Sequence, residues 1–112
     1  MIIDFQKTQQ TFPINVGDPS SYIVGRVVLQ VKGTGTFSFT PKIKVRGSNG
    51  VLTTSDLQAV TYTIRTSTTA VTAGTAITSA GVYEVDGSGV EVWLDGSYTS
   101  GTCVLVTDLI QG

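Results

Sequence analysis

Apolar and polar residues alternate one for one along most of this chain, and that period constrains the fold more than any other feature. Val27, Leu29 and Val31 share one side of a segment whose other side carries Arg26, Gln30 and Lys32. Phe37, Phe39, Ile43 and Val45 oppose Thr36, Ser38, Thr40, Lys42, Lys44 and Arg46. Val60, Tyr62 and Ile64 alternate with Thr61, Thr63 and Arg65, and Val90, Val92 and Leu94 with Glu91, Trp93 and Asp95. Successive side chains of a strand point to opposite faces, so this pattern predicts antiparallel strands with one buried and one wetted face. Gly33-Thr34-Gly35, Ser48-Asn49-Gly50, Asp86-Gly87-Ser88-Gly89 and Asp95-Gly96 read as turns, because Gly, Asn and Asp tolerate positive φ. Strands punctuated at this spacing predict an all-β, antiparallel β-sandwich of the jelly-roll or immunoglobulin-like kind.

The exceptions are few. Ser55-Asp56-Leu57-Gln58-Ala59 offers at most one capped helical turn. Residues 66–76 read as a long loop or a weak edge strand. Residues 1–20 mix Ile2, Ile3, Phe5 and Phe12 with polar residues and precede the domain proper at 21–112. They are either a first strand or an arm that packs on a neighbour. The 112 residues make one domain. No run approaches the ~20 apolar residues of a membrane helix, and the N-terminus lacks the features of a signal peptide. Synthesis in a cytoplasm and no membrane partner are therefore expected.

Chemistry is scarce. Asp, Glu, Lys and Arg make up 13% of the chain, about half the usual share of roughly 25%. No histidine is present, which excludes a Ser-His-Asp or Cys-His nucleophile system and a histidine metal site. Cys103 is the one cysteine, so the chain forms no internal disulfide and no thiolate zinc cluster; its alternation with Leu105 reads as a small buried apolar residue. Calcium is not supported by Asp86-Gly-Ser-Gly or Asp95-Gly-Ser, which lack a twelve-residue ligand loop. The carboxylates Glu84 with Asp86, or Glu91 with Asp95, share a face, but a small sandwich leaves little room for a catalytic cleft between them. We expect no enzyme activity and no cofactor. A formal net charge of −1 argues against nucleic acid.

The charges that remain are unevenly placed. All seven basic residues fall within residues 1–65, beside Asp4, Asp18 and Asp56. Residues 66–112 carry Glu84, Asp86, Glu91, Asp95 and Asp108 and no base. This layout implies differently charged faces, either simply solvated or meeting between copies of the protein. Lys42, Lys44 and Arg46 line one strand face, as a wet edge or as a seat for an acidic protein partner. Trp93, out of phase with its valines, stands with Glu91 and Asp95 on the outer face. There it is an interface anchor or, with Tyr98, a sugar platform, unless that strand is covered on both sides.

Four segments carry a family resemblance. Ile77-Thr-Ser-Ala-Gly81-Val-Tyr83-Glu-Val85-Asp86 is followed by Val90-Glu-Val92 and then by Tyr98-Thr99-Ser100-Gly101-Thr102. An earlier stretch runs Leu29-Gln-Val31-Lys-Gly33-Thr-Gly35-Thr-Phe37 to Arg46-Gly47-Ser48. Together they resemble small virion structural proteins of tailed bacteriophages, loosely over residues 27–107 and best over 77–107. In those relatives the strand after the glycine turn often carries alternating arginines, where this chain has Glu91 and Trp93. The resemblance implies a β-sandwich capsid decoration, or cement, protein on the virion surface. Its implied partners are the major capsid protein and itself, as a homotrimer. Within that reading the interface residues are Ile2, Ile3, Phe5 and Phe12 on an N-terminal arm, with Lys42, Lys44, Arg46, Glu91, Trp93 and Asp95 on the charged face. A tail, neck or baseplate accessory and a carbohydrate-binding host-attachment module are the alternatives.

Overall fold

The β-branched alternation resolves into ten strands in a computed structural model, which describes residues 2–7, 9–16, 26–44, 57–86 and 91–110. In chain order they are β1 Ile2–Asp4, β2 Ile14–Asn15, β3 Arg26–Lys32, β4 Gly35–Lys44, β5 Leu57–Ala59, β6 Tyr62–Ile64, β7 Thr69–Val71, β8 Gly81–Asp86, β9 Glu91–Gly101 and β10 Val104–Ile110. Every pairing is antiparallel. A six-stranded sheet runs β1-β10-β3-β8-β6-β7 and a four-stranded sheet runs β2-β9-β4-β5. The two sheets pack face to face as an all-β antiparallel sandwich, and no helix occurs among the described residues.

The core is the set of inward positions that the alternation marks. Val27, Leu29, Val85 and Leu105 of the larger sheet are fully buried, as are Phe39, Val92 and Leu94 of the smaller one. Phe39 is the hub of an aromatic stack, with ring centroids 5.0 Å from Phe37, 5.3 Å from Phe5 and 5.9 Å from Phe12. Such offset stacks add to plain area burial. Cys103 is buried at the sheet junction.

Three segments turn the same corner between the sheets. The chain leaves β3 for β4 through Gly33-Thr34, leaves β9 for β10 through Thr102-Cys103, and leaves β1 toward the same corner at Phe5. The Thr102 N–H donates to the Thr34 carbonyl at 2.7 Å, and the Phe5 N–H donates to the Cys103 carbonyl at 3.2 Å. Gly35 and Gly101 meet at this corner with φ of 145° and 107°. A Cβ on Gly101 would lie 2.2 Å from the Thr34 oxygen, so only glycine lets the two backbones pass.

β1 and β2 are thus the first strands of the domain, one in each sheet. Ile3 and Phe5 enter the domain's own core, at 6% and 5% exposure, and Phe12 is half-buried against it. Ile2 points outward and is 73% exposed.

The structure corrects three expectations. Leu57-Gln58-Ala59 forms a strand rather than a helical turn, because it completes hydrogen bonds to Lys42–Lys44, and so short a helix is unfavourable to nucleate. Asp95-Gly96 is not a turn but lies inside the eleven-residue β9, opposite Thr40 and Phe39. Gly96 has φ 144°, and a Cβ there would meet the Ser38 oxygen at 1.8 Å. The glycine therefore serves a close approach of β4 rather than a reversal.

The third correction concerns charge. The basic and acidic portions of the sequence do not form separate faces among the described residues. Arg26 and Arg65 both pair with Glu84, and Lys42 pairs with Asp95. β3 and β6 flank β8, and β4 flanks β9, so the fold lays basic strands beside acidic ones. Residues 66–76 contain the edge strand β7. Arg46, Val45, Val90, Asp18, Ser55, Asp56 and the turn candidates Ser48-Asn49-Gly50 and Gly87-Ser88-Gly89 lie outside the described residues.

Candidate functional site

The long β4–β9 ladder builds one compact group of polar and aromatic side chains on the outer face of the four-stranded sheet. Lys42 stands directly opposite Trp93, Lys44 opposite Glu91 and Thr40 opposite Asp95. On the far side of β9, Asn15 of β2 also stands opposite Trp93. The inward neighbours Val92 and Leu94 are fixed in the core, so Glu91, Trp93 and Asp95 must project from it.

The side chains then pair diagonally. The Lys42 ammonium donates to Asp95 Oδ2 at 2.9 Å, and Asp95 Oδ1 accepts the Gly96 N–H at 2.9 Å. The Lys44 ammonium lies 5.0 Å from the Trp93 ring centroid, a cation–π contact. Asn15 Nδ2 donates to Glu91 Oε1 at 3.0 Å. Trp93 is therefore a half-buried indole framed by bases on one side and by an amide–carboxylate pair on the other. Its Nε1–H is buried and meets no acceptor among the described residues. A donor left unmade costs about 1–3 kcal/mol.

A shallow cleft of about 380 Å³ borders this group, lined by Thr40, Lys42, Ala59, Gly74, Asp95 and Gly96. It joins the Lys42–Asp95 pair to the loop after β7. No group of three or more His, Cys, Asp or Glu able to hold a metal exists among the described residues. No helix there is long and apolar enough to cross a membrane.

Of the ten residues singled out from sequence, five meet on this face: Lys42, Lys44, Glu91, Trp93 and Asp95. Ile3 and Phe5 are inside the core, Phe12 is stacked against it, and Ile2 is exposed on the other sheet. Asn15 is an addition that the sequence reading misses. Its only sequence signal is its place one residue after the inward Ile14, and its partner Glu91 lies 76 residues away. Tyr98 does not join Trp93 in a sugar platform. It is opposite Phe37 on the core side, stacks on Phe5 at 5.2 Å and donates its hydroxyl to the Gly101 carbonyl.

Two titratable groups among the described residues are shifted, both away from this face. Burial pushes the Cys103 thiol up from its ordinary value of 9.0. Burial, then the neighbouring Tyr83, pushes the Tyr62 phenol up from 10.0. The Tyr62 hydroxyl donates to the Thr75 carbonyl at 2.8 Å, which assigns it to loop anchoring. A buried, protonated Cys103 is a poor nucleophile.

No family model matches the chain, and neither the curated proteins nor the solved structures contain a match to it.

Proposed function

We propose that this chain is a non-enzymatic virion structural protein of a tailed bacteriophage. It decorates the outer surface of the head and stabilises it by binding the major capsid protein. The observation that carries the binding mode is the Trp93 face: a half-exposed indole in a frame of paired charges on a rigid two-stranded ladder. Aromatic anchors surrounded by polar rims are what protein interfaces use. The resemblance of residues 77–107 to phage structural proteins supports the assignment to a particle.

Binding works by added contact area. A rigid face that spans neighbouring capsid proteins stabilises the shell by whatever free energy it gains on docking, which opposes the outward pressure of packaged DNA. The N-terminal segment is not the clasp in this scheme. Removing residues 1–12 would take Ile3 and Phe5 out of the core, so that deletion tests folding rather than docking.

The test adds purified protein to heads that lack it and measures occupancy by co-sedimentation and electron microscopy. Trp93→Ala is expected to lower the affinity at least about tenfold while leaving the far-UV circular dichroism unchanged. Equal occupancy of wild type and Trp93→Ala overturns the face. Attachment to tails or to host glycans, with bare heads, overturns the head assignment.

A further inference from the structure

We propose that the outer face of the six-stranded sheet docks a second copy of this chain about a two-fold axis. The proposal goes beyond the shell-binding reading and uses the opposite side of the sandwich.

The ladder aligns Ile2, Val106, Gln30 and Val82 in one row across four strands, all pointing away from the core. At the usual strand spacing the row is about 14 Å long. Ile2 is 73% exposed, and Val82 and Val106 are partly exposed. Three of the four positions are thus apolar on a face that alternation assigns to water. Val104, one step along β10 on the same face, extends the patch.

The flanking charges specify the occupant. Lys32 lies one two-residue step to one side of the row, and Asp108 one step to the other, about 7 Å each way. They sit on the neighbouring strands β3 and β10, and both are exposed. Every other base that the structure describes has an ion-pair or ring partner: Lys7 with Asp4, Arg26 and Arg65 with Glu84, Lys42 with Asp95, and Lys44 with Trp93. Lys32 and Asp108 have no ion-pair partner among the described residues.

A two-fold axis along the apolar row solves both problems with one operation. It lays the row of one copy on the same row of the other, and it exchanges the two sides. Lys32 of each copy then meets Asp108 of the other, within the reach of a lysine side chain. Such an isologous contact makes each pairing twice. A partner of a single charge sign would leave one of the two unpaired. The formal net charge of −1 places no general repulsion between copies. The species formed is a dimer, in place of the homotrimer that the family resemblance implies.

Mass measured by light scattering across a concentration series, with no shells present, tests this. Wild type is expected at twice the 11.8 kDa chain mass. Lys32→Glu and Asp108→Lys should each weaken the dimer about tenfold, and the double exchange should restore it. Val106→Lys should give a monomer with unchanged near-ultraviolet circular dichroism. A wild-type monomer or trimer overturns the proposal, as does a double exchange no better than either single variant. Head occupancy is read separately, so failure here leaves the Trp93 face standing, and failure there leaves the dimer standing.

Discussion

The two outer faces of this sandwich are built from the same alternation and differ in how they dispose of charge. On the four-stranded sheet, Lys42, Asp95, Asn15 and Glu91 satisfy one another around Trp93, and Lys44 lies over its ring. On the six-stranded sheet, Arg26 and Arg65 converge on Glu84 at one end, while Lys32 and Asp108, beside the apolar row, have no ion-pair partner among the described residues. The contrast separates two ways of making a protein surface adhesive. The first offers a large amphipathic anchor with its charges already neutralised, which suits a foreign surface. The second offers complementary charges that a second copy satisfies.

Both faces rest on one core, where a substitution has the largest effect. Phe39→Ala removes the hub of the aromatic stack and is expected to cost about 3–5 kcal/mol in denaturant unfolding. Trp93 fluorescence reports the smaller sheet and far-UV circular dichroism the whole domain. Coincident transitions are expected, as for a single cooperative unit. Separate midpoints would mean that the two faces are independently stable, and the shared-core description would fall.

A smaller effect sharpens the contrast in charge. Lys42→Ala breaks a part-buried ion pair and should cost about 0.2–1 kcal/mol of monomer stability, whereas Lys32→Ala should cost close to nothing. Equal losses in the two variants, measured below the association concentration, would erase the distinction between a paired and an unpaired face.

The smallest effect is the response to alkali. Cys103 and Tyr62 hold their protons more tightly in the folded chain than in the unfolded one. Their contribution to stability is therefore complete below 9.0 and declines as pH rises through the unfolded values toward the folded ones. The melting temperature should fall gently above that pH, and Cys103→Ala should remove the earlier part of the decline. A melting temperature that rises over the same range would show the sign to be wrong.

Much of this architecture is legible in the sequence. The inward residues of β3, β4, β6 and β9 follow from period two, and so does the outward placement of Trp93 with Lys42 and Lys44. Two short segments mislead for a common reason. Ser55-Asp56-Leu57-Gln58-Ala59 and Asp95-Gly96 have the local chemistry of a helix start and a turn, but Leu57–Ala59 and Asp95-Gly96 are each overruled by a neighbouring strand that needs their backbone groups. The N-terminal residues mislead differently. Ile3 and Phe5 read equally well as an arm or as a strand, and only the β10 edge and the Phe39 ring decide between them.

The sequence alone determined that this chain forms strands, which side of β3, β4, β6 and β9 faces inward, and that it holds no histidine and a single cysteine. Those properties are local: they depend on residue type and on a repeat of two. The tertiary structure decided which strands are neighbours, and with that the pairing of the charges. Bases and acids that lie far apart along the chain become partners because β4 pairs with β9 and β3 and β6 pair with β8. Coulomb attraction acts across a few ångströms of space and is blind to sequence distance. The same long-range pairing set Asn15 beside Trp93 and placed Lys32 and Asp108 on either side of an outward apolar row.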